Sequence, residues 1–539
     1  MYSKQLMKLS LYITLLISVL CQFQDAQAQV KDTYNNPVLS GFYPDPSICR
    51  VENDYYLVHS SFEYFPGVPI FHSTDLVNWE QIGHVLDRSS QLNLPEGLKP
   101  SEGIFAPTLR YHNDTFYMVT TCVQCGGNFF VTATNPAGPW SDPIWIADAP
   151  GIDPTLFWDD DGSAYYIGGH NLHGYRAWPG QNGVFIQKID IATGKLLGDP
   201  VQMTFGHATN AVWGEAPHIY KINGRYMLMI AEGGTSIHHA VTVFESDSLM
   251  GKYTPSLINP VLTHRHLGKN YPIAAVGHAD LVQTQHGDWW AVLLATRPIK
   301  QQVMLGRETF LVPLVFEDGW PVFNPGKGIV EVEMLLPKLP PMKTSSRSTV
   351  DGFETESMGY DWNMLRTPTE KWYQLNKGFL EMQTRPQKLI ENTQPSFWGR
   401  RIQHFTFDAF TKVDFNSNKS NEEAGFVALL DSKNHYRLVK KGKSIKLFKV
   451  EKGNETLVAE ESYHGSSVVL GLKADFFEYQ FCYGKDINSL NILGEKQDAR
   501  VCAPSSGLDF TGPYVGMYTS SNGLKSNARA FFDWFKYSN

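Results

Sequence analysis

At 539 residues the chain exceeds one ordinary domain, so two or three are expected. Apolar content of 42% with 13% aromatics supplies large cores and a store of flat ring faces. A formal charge of −8 with no basic run argues against nucleic acid or an anionic membrane as partner.

Residues 1–28 read as a signal peptide. Lys4 and Lys8 precede the apolar run LSLYITLLISVL, and Ala26-Gln27-Ala28 offers a small-x-small cleavage site. The run is short for a transmembrane segment, and no later stretch is long enough to be one. Leu20 stands before Cys21 where a lipoprotein signal wants a small residue. A soluble exported product, periplasmic or secreted, is expected over one lipid-anchored through Cys21.

From 29 to 335 one pattern recurs five times. The units are DPSICRVENDYYLVHSS from Asp45, APTLRYHNDTFYMVTT from Ala106, DPTLFWDDDGSAYYIGG from Asp153, APHIYKINGRYMLMIAE from Ala216 and HADLVQTQHGDWWAVLLA from His278. Each has a small or proline step, an apolar pair, a polar turn and an aromatic-rich run, which spells two strands and a tight turn. Repeats of this length with several strands each predict a five-bladed β-propeller, one unit per blade. The residue that opens each unit can then face the common axis. Asp45, Asp153 and His278 hold that position, and Glu215 stands one residue before it.

At 336–350 the text LLPKLPPMKTSSRST predicts a linker lying across a surface. From 351 to 539 alternating segments such as HFTFDAFTKVDF, HYRLVKKGKSIKLFKV and ARAFFDWFKYS, separated by turn clusters, predict an antiparallel β-sandwich of the concanavalin-like or jelly-roll kind. No long amphipathic helix is evident, so the fold class is all-β. Signal-peptide cleavage would leave five cysteines. Cys122-x-x-Cys125 has no second CxxC to complete a zinc site and reads as buried thiols or a local disulfide. Cys482 and Cys502 are expected to be able to bridge within the last domain.

Asp45 lies between Pro44 and Pro46, which fix its backbone at a strand entrance. A turn-capping Asp would explain one such case. Asp-Pro again at Asp153, with Ala-Pro in the second and fourth units, favours a functional acid. Glu215 follows Trp213 by two residues, and a carboxylate against aromatic surface and near another carboxylate takes a raised pKa, as a proton donor needs. Read alone, His278 is a core histidine and Arg307 a surface partner of Glu308.

Together these blocks resemble the glycoside hydrolases of family 43. The matching text includes NPVLSGFYPDPSI, GIFAPTLRYHNDTFYM, GIDPTLFWDDDG, GEAPHIYKINGRYMLMIAEGGT, GHADLVQTQHGDWWAVLLATRP and LGRETFLVPLVFEDGWP, in order from about 36 to 330. The trailing domain resembles the sandwich of the β-xylosidase and α-L-arabinofuranosidase branch. The resemblance implies a five-bladed catalytic propeller and an exo-acting, inverting glycosidase that removes terminal α-L-arabinofuranosyl residues from hemicellulose-derived oligosaccharides, with β-D-xylosidase action as the alternative. It implies Asp45 as general base, Glu215 as general acid and Asp153 as the residue that orients Glu215 and raises its pKa. It further implies Arg307 on sugar hydroxyls and the base, His278 beneath the pocket floor, and Phe62 and Phe105 as aromatic walls. Phe105 departs from the Trp common in xylosidase relatives. No cofactor is required and no metal ligands are assigned; a structural calcium at the axis or in the sandwich is compatible with the pattern. A non-catalytic carbohydrate-binding propeller is the remote alternative, and retention of all three carboxylates speaks against it.

Overall fold

The computed structural model describes residues 32–344, 348–376, 378–417, 419–505 and 509–539. The expected signal peptide, with Lys4, Lys8 and Cys21, lies outside the described residues. Among the described residues the regular structure is β-strand with one short 3-10 turn at Ala499–Cys502, and no helix is long and apolar enough to cross a membrane.

The five repeats form five antiparallel sheets. Their innermost strands are Ser47–Val51, Thr108–His112, Ile152–Trp158, Glu215–Ile222 and Ala274–Gln283. Three residues after each unit opening comes a buried apolar side chain: Ile48, Leu109, Leu156, Ile219 and Leu281. This repeat position seals the inner ring. The circle is tied near its seam, where Thr33–Asn35 pairs with Glu333–Leu335 and Leu39 bridges Thr309.

On the axis, below the unit openings, Asp280 gathers four blades. Its carboxylate accepts from Arg110 at 2.8 and 3.2 Å, from Ser47 Oγ at 2.6 Å and from Tyr220 Oη at 2.6 Å. Arg110 also donates to His218 Nδ1 at 2.7 Å. Burial alone would raise the Asp280 pKa, but Arg110 and His218 outweigh it and hold the group well below the usual carboxylate range.

At the entrance of three innermost strands the ladder carries one extra residue. Ile152 pairs with Gly169 and Thr155 with Ile167; Glu215 pairs with Ala231 and His218 with Met229; Gly277 pairs with Leu294 and Asp280 with Val292. Each is a bulge of two residues opposite one, and the first residue inside it is a unit opening: Asp153, Ala216 or His278. These three have φ of 54°, 51° and 51°, and Asp45 has 54°. Left-handed backbone at a non-glycine residue costs on the order of 1 kcal/mol, and bulges of this kind re-aim side chains beside sites.

The segment after the propeller runs along the first blade, where Met342 N–H donates to Asp75 at 2.8 Å. The C-terminal part packs a nine-stranded sheet on a six-stranded one. The first includes Thr406–Asp414, Ser467–Asp475 and Arg529–Ser538; the second includes Ser396–Arg401, Glu423–Asp431 and Tyr514–Ser520. One buried apolar cluster runs from Ile70, Leu98 and Ile104 of the propeller to Trp398, Phe426 and Phe535 of the sandwich.

The cysteines divide differently from expectation. Cys122 and Cys125 form a disulfide across the turn between Thr115–Val123 and Gly127–Ala133, the local pairing allowed by their spacing. The expected Cys482–Cys502 bridge is corrected: both are free and buried. Alternation along Glu478–Gly484 sends Phe481 into the main core and Cys482 to the other face, against Phe410 and Val469. Cys502 packs in the main core, with its thiol 3.4 Å from the Ala428 carbonyl.

Candidate active site

The strand entrances converge on a cavity of about 290 Å³, lined by Asp45, Asp153 and Glu215 from three different blades. His278, Arg307, Phe62 and Phe105 line the same cavity, so every residue singled out in the sequence is at one place. Left-handed backbone at the unit openings explains the convergence, inside a bulge at Asp153 and Ala216 and ahead of the strand at Asp45. Left-handed backbone at Asp45 and Asp153 turns their side chains to the axis, whereas in the fourth blade Ala216 takes that conformation and the preceding Glu215 faces inward.

Asp45 is held on both oxygens. Arg307 donates to Oδ1 at 2.6 Å, Ser60 Oγ donates to Oδ2 at 2.6 Å, and His278 Nδ1 stands 3.6 Å from Oδ1. Burial would raise its pKa, but Arg307, His278 and Ser60 together prevail and keep it below the usual carboxylate range. Arg307 therefore partners Asp45, not Glu308. Glu308 is buried with Arg297, at 2.7 Å, and accepts from the Gly41 N–H at 2.9 Å.

Glu215 and Asp153 have the opposite balance. Burial, then the negative charge of Asp45, push Glu215 up to about 7, with Arg307 opposing. Asp153 is raised well above its ordinary value by burial, then by Glu215 and Asp45. The Ala216 N–H bonds to the Asp153 carboxylate, which ties Asp153 to the residue next to Glu215. One carboxylate is thus fixed as the anion while its two neighbours keep a proton near neutral pH.

Three aromatic rings close one side. Phe62 lies 5.3 Å from Phe105 and 6.0 Å from Phe510, with Phe105 and Phe510 5.9 Å apart by ring centroids. Phe510 belongs to the sandwich, and its carbonyl accepts from Arg307 at 3.1 Å while its N–H donates to Ser101 Oγ at 2.9 Å. Sequence reasoning missed Phe510 and Ser60, and Thr235, which also lines the cavity. Phe510 sits in SGLDFTGPY, 203 positions after Arg307, and no periodicity connects the two. Among the described residues no group of three or more His, Cys, Asp or Glu side chains stands close enough to hold a metal ion.

Comparison with known proteins agrees with this geometry. Residues 34–321 match the sequence model described as glycosyl hydrolases family 43, and residues 350–538 match the beta xylosidase C-terminal concanavalin A-like domain. A xylosidase/arabinosidase of Butyrivibrio fibrisolvens is 43% identical over 93% of this chain and 98% of its own. A non-reducing end alpha-L-arabinofuranosidase of Bacteroides ovatus is 38% identical over 94% of each chain. Among solved structures, a xyloglucan-locus protein of Bacteroides ovatus superposes with a TM-score of 0.87 at 38% identity, covering 94% of this chain and 99% of that one. A xylan beta-1,4-xylosidase from Bacillus halodurans superposes at 0.88 and 33% identity, covering 94% and 100%. A five-bladed ring presenting three carboxylates, a concanavalin-like domain closing their cavity, and likeness over nearly the whole length lead to one conclusion: the chain belongs to glycoside hydrolase family 43 and is a glycosidase.

Proposed function

We propose that the protein is an exo-acting, inverting α-L-arabinofuranosidase that removes terminal arabinofuranosyl residues from hemicellulose-derived oligosaccharides. The observation that carries the reading is the divided ionisation of the carboxylates in one small cavity. Ionised Asp45 takes a proton from the water that attacks the anomeric carbon. Glu215 gives its proton to the departing oxygen, and the water adds from the face opposite the leaving group, so the configuration inverts. The negative charge of Asp45, with burial, keeps Glu215 protonated, and Asp153 orients it by steadying the strand entrance through the Ala216 N–H. Arg307 holds Asp45 and offers its guanidinium to sugar hydroxyls, and the carboxylate-lined cavity favours the cation-like transition state.

A volume of about 290 Å³ is at the small end for ligand cavities, about 300–1,000 Å³. It suits one terminal sugar, which supports exo-action. The Bacteroides ovatus relative named a non-reducing end alpha-L-arabinofuranosidase supports the arabinofuranosyl preference. β-D-Xylosidase action is the second reading, favoured by the double name of the Butyrivibrio relative. The proposal assigns the reaction no cofactor; a bound calcium would be structural. It also takes residues 1–28 as an export signal, 29–335 as the catalytic unit, 336–350 as a linker and 351–539 as the sandwich.

The test is a panel of aryl α-L-arabinofuranosides and β-D-xylosides with NMR of the first-formed anomer. Faster arabinofuranoside hydrolysis with an inverted product is expected. A retained product would mean a covalent intermediate and would overturn the roles given to Asp45 and Glu215. Asp45→Asn and Glu215→Gln are each expected to lower turnover of natural linkages by about 10²–10⁴-fold with unchanged far-UV circular dichroism. Near-wild-type rates in either variant would refute the assignment.

A further inference from the structure

Trp213 is 44% exposed, yet its indole is held in place. Its backbone has φ of 55°, and its N–H donates to the Gly180 carbonyl at 2.8 Å. Two glycines cradle the ring. A Cβ on Gly180 would lie 3.3 Å from Trp213 Cε2, and one on Gly234 would lie 3.2 Å from Cδ1. Both glycines have positive φ, 77° and 70°, so the backbone bends around the indole where a side chain would press on it.

The segment from Asn171 to Asn182 is strapped to the same loop. Trp178 Nε1 donates to the Ala211 carbonyl at 2.7 Å, and Asn182 Nδ2 donates to the Gly214 carbonyl at 2.8 Å. Within that segment Asn171 Nδ2 bonds to the Tyr175 carbonyl at 2.8 Å. These bonds bring Arg176 to Trp213, its guanidinium 5.9 Å from the indole centroid. Arg176 is exposed and has no ion pair among the described residues. A rigid flat face that lines the cavity therefore stands two residues before Glu215, with the exposed fork of donors of Arg176 beside it.

We propose that Trp213 and Arg176 form the subsite for the leaving-group sugar, and that this subsite selects a pyranose. The inference rests on the glycosidase reading and adds to it what lies beyond the scissile bond. Glu215 must reach the bridging oxygen, so the departing sugar passes on the side of the cavity from which Glu215 projects, where Trp213 is its near neighbour in the chain. A pyranose presents a face of axial C–H bonds that stacks on an indole, and its equatorial hydroxyls project sideways within reach of a guanidinium. A single-carbon aglycone uses neither contact.

The experiment compares kcat/KM for methyl glycosides with kcat/KM for matched oligosaccharides, in the arabinofuranosyl series (arabinofuranosylated xylotriose) and the xylosyl series (xylobiose). Full-length wild type, Trp213→Ala, Trp213→Phe and Arg176→Ala are measured. In Trp213→Ala the oligosaccharide-to-methyl ratio is expected to fall about 10–100-fold, equivalent to ~1.4–2.8 kcal/mol, chiefly through KM. Trp213→Phe keeps most of the ratio, and Arg176→Ala lowers it about 3–10-fold. A parallel fall on both substrates would show that Trp213 supports Glu215 or the loop and would overturn the proposal, as would an unchanged ratio. Wild type hydrolysing every substrate with an unaltered ratio in the variants sinks only the subsite; wild type inert on all of them sinks the arabinofuranosidase and xylosidase readings and the subsite with them.

Discussion

Asp45 and Glu215 share a cavity but meet different neighbours, and that difference sets their response to pH. Glu215 loses its proton near pH 7, so kcat/KM for a substrate that needs acid assistance is expected to fall as pH rises through that value. An aryl glycoside with a good leaving group should show a weaker alkaline limb; equal limbs would remove Glu215 from the acid role. Stability follows the same shift with a definite sign. In the unfolded chain Glu215 titrates near 4.5 and in the folded protein near 7, so between these values the folded state binds the proton more tightly. Stability contributed by the protonated carboxyl is present below about 4.5 and lost as pH rises to 7. Glu215→Gln is therefore expected to raise Tm by about 2–6 °C at pH 8 and by little at pH 4.5. Differential scanning fluorimetry at the two pH values checks this, and equal Tm changes would contradict it. At this scale Asp45 and Asp153 stood out because Asp-Pro recurs at one repeat position, and Glu215 because it directly precedes another. Ser60 was not, since a serine pair after an apolar strand has no distinguishing pattern. Arg307 pointed the wrong way on local text, where Glu308 is its neighbour; Glu308 is instead taken by Arg297.

The strand entrances carry the geometry one level up. A repeat can be seen in a single strand's text, so five units and their buried apolar step were readable before any coordinates. A bulge is a property of two strands, an extra residue opposite a shorter partner, and nothing in IDPT or GHAD announces it. The Asp280 cluster was hidden for a similar reason: Ser47, Arg110, His218 and Tyr220 come from blades distant in the chain. Its importance is testable. Asp280→Ala leaves part-buried Arg110 without its buried carboxylate and frees the Ser47 and Tyr220 hydroxyls from their partner, so a loss of about 3–5 kcal/mol is expected in urea unfolding followed by tryptophan fluorescence. A change below 1 kcal/mol would mean that the four blades do not depend on this tie.

The whole molecule behaves as one unit in its contacts. Arg401 of the sandwich donates to the Phe42 carbonyl at 2.8 Å, and Arg366 donates to the Leu98 carbonyl at 3.1 Å. Met364–Leu365 pairs with Tyr64–Phe65, and Tyr64 stacks on Tyr514 at 4.1 Å. With a buried cluster continuous across the junction, calorimetry of the full chain is expected to give one transition, and a chain truncated after residue 344 is expected to lose soluble expression or activity. Two resolved transitions, or a truncated ring with full activity and the same sugar preference, would contradict this coupling. The two-part organisation was legible from the Pro/Ser/Thr-rich text near 336. The intimacy of the parts was not, because buried arginines that cap distant carbonyls look like any other basic residue in a strand.

Phe510 carries this coupling into evolution. A gene shuffled at the seam between ring and tail would import a foreign wall for the catalytic chamber and a foreign carbonyl for Arg307. Chimeras built from two relatives should therefore change which monosaccharide they accept, or fail outright, even when every carboxylate is inherited intact.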